Sequence, residues 1–197
     1  MLAIVEGLVY LHSLDIIHRD LKSRNVLVDS TKVMCGAATA CADLLRFQGT
    51  KLTDFGASRE ATSDTMTIGV GTYRWMAPEI LKENDYTVAA DMYSFGMVVT
   101  ELDSHEIPYT NLTNGKGKPL VDTAIMSMVM HGDIHPALTA QCPTWIKDLA
   151  LQCLAIDPAN RPTAIQVAAV VRKHLHGMHD AAVDGRDGGL SCMPRLP

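Results

Sequence analysis

Three side chains that suit chemistry on a phosphate group lie within a stretch of six residues. Asp20 supplies a carboxylate, Lys22 an ammonium group and Asn25 an amide, and a second carboxylate follows at Asp54. Carboxylate and amide oxygens are hard donors of the kind that Mg²⁺ takes, together with phosphate oxygens and waters. An ammonium group offsets negative charge that develops on a phosphate. One oxygen donor alone would indicate nothing, but two donors on either side of a lysine-bearing loop indicate a metal–phosphate site.

The strings that contain these residues occur in a set order. His18-Arg19-Asp20-Leu21-Lys22-Ser23-Arg24-Asn25 comes first, Asp54-Phe55-Gly56 second and Ala77-Pro78-Glu79 third. A single triplet occurs by chance, but three motifs in this order are specific. They resemble the catalytic domain of eukaryotic protein kinases. Lys22, two residues after Asp20, looks like the serine/threonine pattern of these kinases. The string GTYRWMAPE at 71–79 resembles the tyrosine-kinase-like group, the Raf-type and mixed-lineage-type kinases, most of which phosphorylate serine or threonine.

The resemblance covers about residues 1–175 and implies the carboxyl-terminal lobe of that domain. The expected fold is α+β and predominantly helical, a protein kinase-like fold that lacks the amino-terminal β lobe. We expect residues 176–197, which are rich in glycine and poor in apolar side chains, to form a disordered tail.

Apolar spacing places the main elements. Ile4, Leu8 and Leu11 recur at one helical face, so residues 1–11 should form a helix rather than a signal peptide. Residues 26–28 and 51–53 should pair as a small hairpin. Further helices are expected at 87–102, 121–130 and 144–156 and from Arg161-Pro162-Thr163 to about Leu175, with a turn-rich loop at 109–120.

The resemblance also implies catalytic roles. Asp20 would accept and orient the substrate hydroxyl, and Lys22 would approach the transferred phosphate. Thr72 matches the family threonine that bridges these two residues and helps to distinguish serine and threonine substrates. Asn25 completes the catalytic set. His18 is expected to be a packed core histidine rather than a catalyst.

The implied cofactors are ATP and Mg²⁺. Lys22, Asn25, Leu27 and Asp54 would bind the nucleotide complex, with Leu27 as the floor under adenine. Asn25 and Asp54 would be the metal ligands.

Further residues match structural positions of the family. Asp91 would hold the catalytic-loop backbone, and Glu79 and Arg161 would form an ion pair. The hydroxyl-rich segment 58–71 suggests a phosphorylation site for an upstream activating kinase, at Thr65 or Thr67, that pairs with Arg19. An ordinary polar loop is the alternative.

Residues 33–48 (VMCGAATACADLLRFQ) are anomalous, because they show no strand alternation and interrupt the expected hairpin. Two explanations stay open. The segment is either a retained intron in the gene sequence or a genuine loop insertion, which a surface hairpin tolerates because loop-closure cost grows slowly with length.

The composition limits which partners and which cellular compartment are expected for the protein. A net charge of −5 and a pI near 5.9 argue against binding to nucleic acid or to anionic membranes. No stretch is apolar for long enough to span a bilayer. Five cysteines without metal-ligand spacing fit a reducing compartment. We therefore expect a cytoplasmic protein with ATP and a serine- or threonine-containing protein substrate as partners.

No Gly-x-Gly-x-x-Gly string precedes residue 18, although kinases cover the phosphates with such a loop. Two functions follow. The first is a serine/threonine kinase that is truncated in this sequence, so that the isolated chain has negligible activity. The second is a catalytically inactive binding or scaffold module built from the lobe alone.

Overall fold

A computed structural model of the chain describes residues 1–27, 50–53, 59–60, 71–82 and 87–184. Helices dominate these residues and the strands are only two residues long. The predicted α+β, mainly helical lobe of a protein kinase-like fold is confirmed. None of the helices in the described ranges is both long and apolar enough to cross a membrane.

Helix α1 (Leu2–Ser13) opens the fold and buries the predicted apolar face. Ile4, Leu8 and Leu11 all lie in the core, and Val5 joins them. The helix packs against the helix at Ala164–Asp184, so the first and last described segments of the lobe support each other.

Two pairs of antiparallel strands frame the loop that follows α1. Strand β1 (Ile16–Ile17) pairs with β4 (Arg59–Glu60), and β2 (Val26–Leu27) pairs with β3 (Lys51–Leu52). The second pair confirms the predicted hairpin at its base. The anomalous insertion at 33–48 lies outside the described residues, and so do the hydroxyls between 61 and 70.

Two helices follow the 71–76 segment. Helix α2 (Pro78–Leu81) has a proline in its first turn, where a missing N–H costs nothing. Helix α3 (Ala89–Ser104) is the predicted central helix, and every residue from Ala90 to Thr100 is buried. Such a helix, buried all round, forms the centre of a core rather than one of its surfaces.

Three helices complete the lobe: α4 (Asp122–His131), α5 (Thr144–Cys153) and α6 (Ala164–Asp184). The sequence predicted all three helices, but the carboxyl-terminal ends of α5 and α6 differ from the predicted ones. Helix α5 ends at Cys153 rather than at residue 156. Pro158 has no N–H to donate to the Leu154 carbonyl, and a 3₁₀ turn (Pro158–Asn160) follows.

Helix α6 continues beyond the predicted end near Leu175. The good helix formers Ala181 and Ala182 favour helical backbone there, and Gly177 costs only about 1 kcal/mol. The tail prediction for 185–197 lies outside the described residues.

Candidate active site

The loop at 18–25 is fixed to the core by one buried carboxylate. Asp91, only 1% exposed, accepts hydrogen bonds from the backbone N–H groups of His18 (2.8 Å) and Arg19 (2.9 Å). The Nε2 atom of His12 lies 2.9 Å from the same carboxylate. The geometry agrees with the role expected for Asp91. His18 is fully buried, as predicted for a core histidine.

Arg19 has a positive φ of 70°, a left-handed conformation that is strained for a residue with a side chain. A strained residue persists when its surroundings hold it in place. Here the restraint includes the Asp91 bond to its own N–H. The strained backbone turns the chain immediately before Asp20.

Asp20, Lys22 and Thr72 meet at the surface of this loop. The Lys22 ammonium donates to Asp20 Oδ2 at 2.7 Å and to Thr72 Oγ1 at 3.1 Å. Both charged side chains keep some exposure, 15% for Asp20 and 17% for Lys22. Lys22 and Thr72 lie 50 residues apart in sequence, so the fold has brought two separate motifs to one point.

Asn25 closes the loop from the other side. Its Nδ2 donates to the backbone oxygen of Asp20 at 2.7 Å and to Asp20 Oδ2 at 3.1 Å. Both partners are acceptors, so the amide must present its NH₂ group there and its oxygen on the opposite side. That oxygen is available as a hard ligand, which fits the proposed magnesium role.

The remaining predicted metal ligand, Asp54, lies outside the described residues. Its sequence neighbour Thr53 donates its N–H to the backbone oxygen of Asn25 at 2.9 Å, and its hydroxyl reaches the same oxygen at 3.3 Å. The residue before Asp54 therefore contacts the residue that would share the metal. In the described ranges, no cluster of three or more His, Cys, Asp or Glu side chains is placed to hold a metal.

Leu27, the expected adenine contact, is 53% exposed although it is apolar. It lies on strand β2, two residues after Asn25, and its backbone pairs with Lys51. No contact in the structure tests its role, which stays a prediction.

Glu101 joins the loop to the 71–76 segment, a contact that the sequence did not reveal. Its carboxylate accepts from Ser23 Oγ at 2.7 Å and from Trp75 Nε1 at 3.0 Å. Ser94, two helical turns before Glu101 on the same face of α3, donates to the backbone oxygen of Trp75 at 2.7 Å. The one signal in the sequence was the position of Glu101, a charged residue shortly after the apolar stretch of α3, which indicates a carboxylate with a specific partner.

Arg74 extends the same surface to helix α4. It donates to the backbone oxygen of Pro108 at 2.7 Å and lies 3.4 Å from the Asp122 carboxylate. Its guanidinium also lies over the Tyr73 ring, 5.4 Å from the centroid. Burial first, and the nearby Asp122 carboxylate second, raise the pKa of Tyr73 to about 12, so this phenol stays neutral at physiological pH.

Comparison with known proteins identifies the class. The protein kinase domain family matches residues 1–171, and the chain belongs to this family. The predicted resemblance to the tyrosine-kinase-like group is confirmed by its relatives.

Three relatives illustrate the match. The chain is 36% identical over 174 residues to Serine/threonine/tyrosine-protein kinase HT1 of Arabidopsis thaliana, which covers 88% of the chain and 38% of the relative. It is 35% identical over 183 residues to the Putative mitogen-activated protein kinase kinase kinase 7-like protein of Drosophila melanogaster, covering 91% and 40%. It is 34% identical over 175 residues to RGS domain-containing serine/threonine-protein kinase A of Dictyostelium discoideum, covering 89% and 13%. The chain therefore spans less than half the length of these curated relatives.

Proposed function

We propose that this chain is the carboxyl-terminal lobe of a serine/threonine protein kinase that transfers the γ-phosphate of ATP to protein hydroxyls. The observation that carries the proposal is the contact of Lys22 with both Asp20 and Thr72. A carboxylate, an ammonium group and a hydroxyl at one point form a site where a substrate hydroxyl is oriented beside a phosphate.

Asp20 is the residue that orients the substrate hydroxyl. Its Oδ2 already accepts from Lys22 and Asn25, whereas Oδ1 has no hydrogen-bond partner among the described residues. A buried acceptor without a donor costs roughly 1–3 kcal/mol, so a substrate hydroxyl that donated to Oδ1 would relieve that cost. Lys22, fixed by Asp20, lowers the charge that develops on the transferred phosphate.

The oxygen of Asn25 and the carboxylate of Asp54 are the side chains that would hold Mg²⁺. When bound, the metal supplies positive charge against the phosphate oxygens of ATP. Leu27 provides an apolar surface for the adenine base of ATP. Thr72 holds Lys22 beside Asp20, the residue that accepts from the substrate hydroxyl. Cytoplasmic location and activation by an upstream kinase belong to this proposal as well.

Residues 1–197 as an isolated polypeptide should bind ATP very weakly and turn over negligibly. The sequence contains no Gly-x-Gly-x-x-Gly string to cover the phosphates, and positioning supplies most of the acceleration of this reaction. The alternative function is a lobe that only binds partners. It is suggested by the same observation, that the sequence contains no Gly-x-Gly-x-x-Gly string.

One experiment separates the two functions. The protein translated from the complete transcript is assayed for transfer of labelled phosphate to a generic serine- and threonine-containing substrate, beside its Asp20→Asn variant and residues 1–197 alone. Transfer that the Asp20→Asn change abolishes supports the kinase. An inactive protein that still captures a partner, with and without the change, supports the binding module and overturns our proposal.

A further inference from the structure

A turn that carries two lysines projects from the loop between α3 and α4. In this lysine turn (residues 114–118, Asn-Gly-Lys-Gly-Lys), every residue is exposed, and so are its neighbours Thr113 and Pro119. Neither Lys116 nor Lys118 lies within ion-pair distance of an acidic side chain in the described part of the chain. The two ammonium groups lie two residues apart at one tip of a chain whose net charge is −5.

The turn is held in shape by its own hydrogen bonds. Asn114 Oδ1 accepts from the N–H groups of Lys116 (2.9 Å) and Lys118 (3.1 Å), and its backbone N–H donates to the Lys118 oxygen at 2.8 Å. Gly117 has a φ of 72°, which favours glycine, and its N–H donates to Asn114 O at 2.9 Å. A preformed turn loses little conformational entropy when it binds a partner.

The same bonds decide what kind of anion the turn can recognise. A phosphate cradle made of backbone amides needs N–H groups that point outward without partners. Here the N–H groups of Lys116, Gly117 and Lys118 are all donated to Asn114. Recognition is therefore left to two flexible ammonium groups, which act as point charges and can contact carboxylates spread along a peptide.

The base of the turn is continuous with the candidate active site. Leu120 donates its N–H to Leu112 at 3.0 Å, and a β-bridge joins Thr113 to Pro119. On either side of this base lie Pro108 and Asp122, the two residues that Arg74 contacts. Arg74 is two residues beyond Thr72. An extended peptide advances about 3.3 Å per residue, so ten residues reach about 33 Å from the phosphorylated hydroxyl.

We propose that Lys116 and Lys118 form a docking site for an acidic, Asp- and Glu-containing segment of the protein substrate, several residues away from the phosphorylated hydroxyl. The proposal rests on the proposed function and names a substrate feature for it. Complementary charge guides encounter and register more than it adds affinity. Two lysines are too few, on an acidic protein, for general nucleic-acid or membrane binding.

Binding can be tested without phosphate transfer. The probe is a fluorescent peptide in which alanine replaces the acceptor and a block of Asp and Glu lies about ten residues away. Its anisotropy is titrated with the full chain and with K116A/K118A. We expect the double variant to weaken binding roughly tenfold at low salt, since each exposed ion pair contributes modestly. The matched control K147A/K173A removes two exposed lysines of α5 and α6 and should leave binding unchanged.

A charge reversal makes the test independent of folding defects. K116E/K118E should lose the acidic peptide and gain a peptide in which Lys replaces Asp and Glu. If reversal does not swap the preference, the proposal is wrong. It is also wrong if anionic vesicles or single-stranded RNA, but not the peptide, bind in a way that depends on the two lysines. Because these readouts need no turnover, they are judged separately from the transfer assay. If the protein translated from the complete transcript is inactive but the chain passes the binding tests, the kinase proposal fails and the docking site stands.

Discussion

Arg161 and Glu79, 82 residues apart in sequence, form a bidentate ion pair inside the protein. Nη1 lies 2.6 Å from Oε1 and Nη2 lies 2.8 Å from Oε2. Nε and the two terminal nitrogens also donate to the backbone oxygens of Ala155, Ala89 and Ile156. All five N–H donors of the guanidinium are thus used. This confirms the pair that the family resemblance implied.

Replacing Arg161 by alanine should destabilise the fold by about 3–5 kcal/mol, because it leaves the buried Glu79 carboxylate without its guanidinium partner. Urea denaturation measures the change. Arg172→Ala is the matched control: Arg172 pairs with Glu6 at 2.8 Å, but the two side chains are 50% and 44% exposed. Such a surface pair contributes about 0–1 kcal/mol. Equal losses in the two variants would contradict the structural role of Arg161.

Asp91→Asn should release the start of the 18–25 loop. The amide has one acceptor oxygen, so one of the two N–H groups from His18 and Arg19 would face an NH₂ group. We expect a loss of about 2–3 kcal/mol, as for hydrogen bonds to a charged group. Hydrogen exchange should accelerate at the amides of residues 18 and 19. Asp148→Asn on the exposed face of α5 is the control and should change neither quantity.

Two glycine-to-alanine changes should have opposite effects. At Gly96 a Cβ would lie 3.0 Å from Cys153 Cβ and 3.0 Å from Leu154 Cγ, where α3 packs on α5. We expect a net loss of about 1–3 kcal/mol from overpacking. At Gly177 on α6 the described residues place no atom within 4 Å of that position, apart from the backbone of the helix itself. Alanine there should therefore gain up to about 1 kcal/mol in helix propensity. The urea midpoints of the two variants should move in opposite directions.

Cys153 should resist alkylation in the folded protein. Burial raises the pKa of its thiol to about 12, and the side chain has no exposed surface. Since the thiolate is the reactive form, raising the pH from 7 to 9 should still leave Cys153 unlabelled by iodoacetamide. Mass mapping should find it labelled only after denaturation. Labelling of native protein at a rate similar to that of the half-buried Cys142 would show that α3 and α5 separate readily.

The sequence alone predicted the features that depend on the spacing of residues close together in the chain. The spacing of Asp20, Lys22 and Asn25 predicted a shared site, and the periodicity of Ile4, Leu8 and Leu11 predicted α1. It did not predict the bridge from Ser23 to Trp75 through Glu101, because such a contact depends on how α3 is rotated in the core. The roles of Asp54 and Leu27 remain predictions. Asp54 lies outside the described residues, and the role of Leu27 depends on contact with a ligand.

The lysine turn shows a second limit. Asn-Gly and Gly-Lys-Gly-Lys predicted a turn at 109–120 from composition. Composition could not show that the Asn114 side chain would take two amides of the turn, or that Arg74 would contact residues on both sides of its base. The Arg74 contacts require residues separated by more than 30 positions to meet.

One helix holds both ends of the 18–25 loop. Asp91 contacts its first residues and Glu101 contacts Ser23. These two carboxylates are ten residues apart on α3, so the rise of an α-helix separates them by about 15 Å. A helix in the middle of a core changes its length only by unfolding. We therefore expect the two anchored points of the loop to keep the same spacing whether or not a ligand is bound.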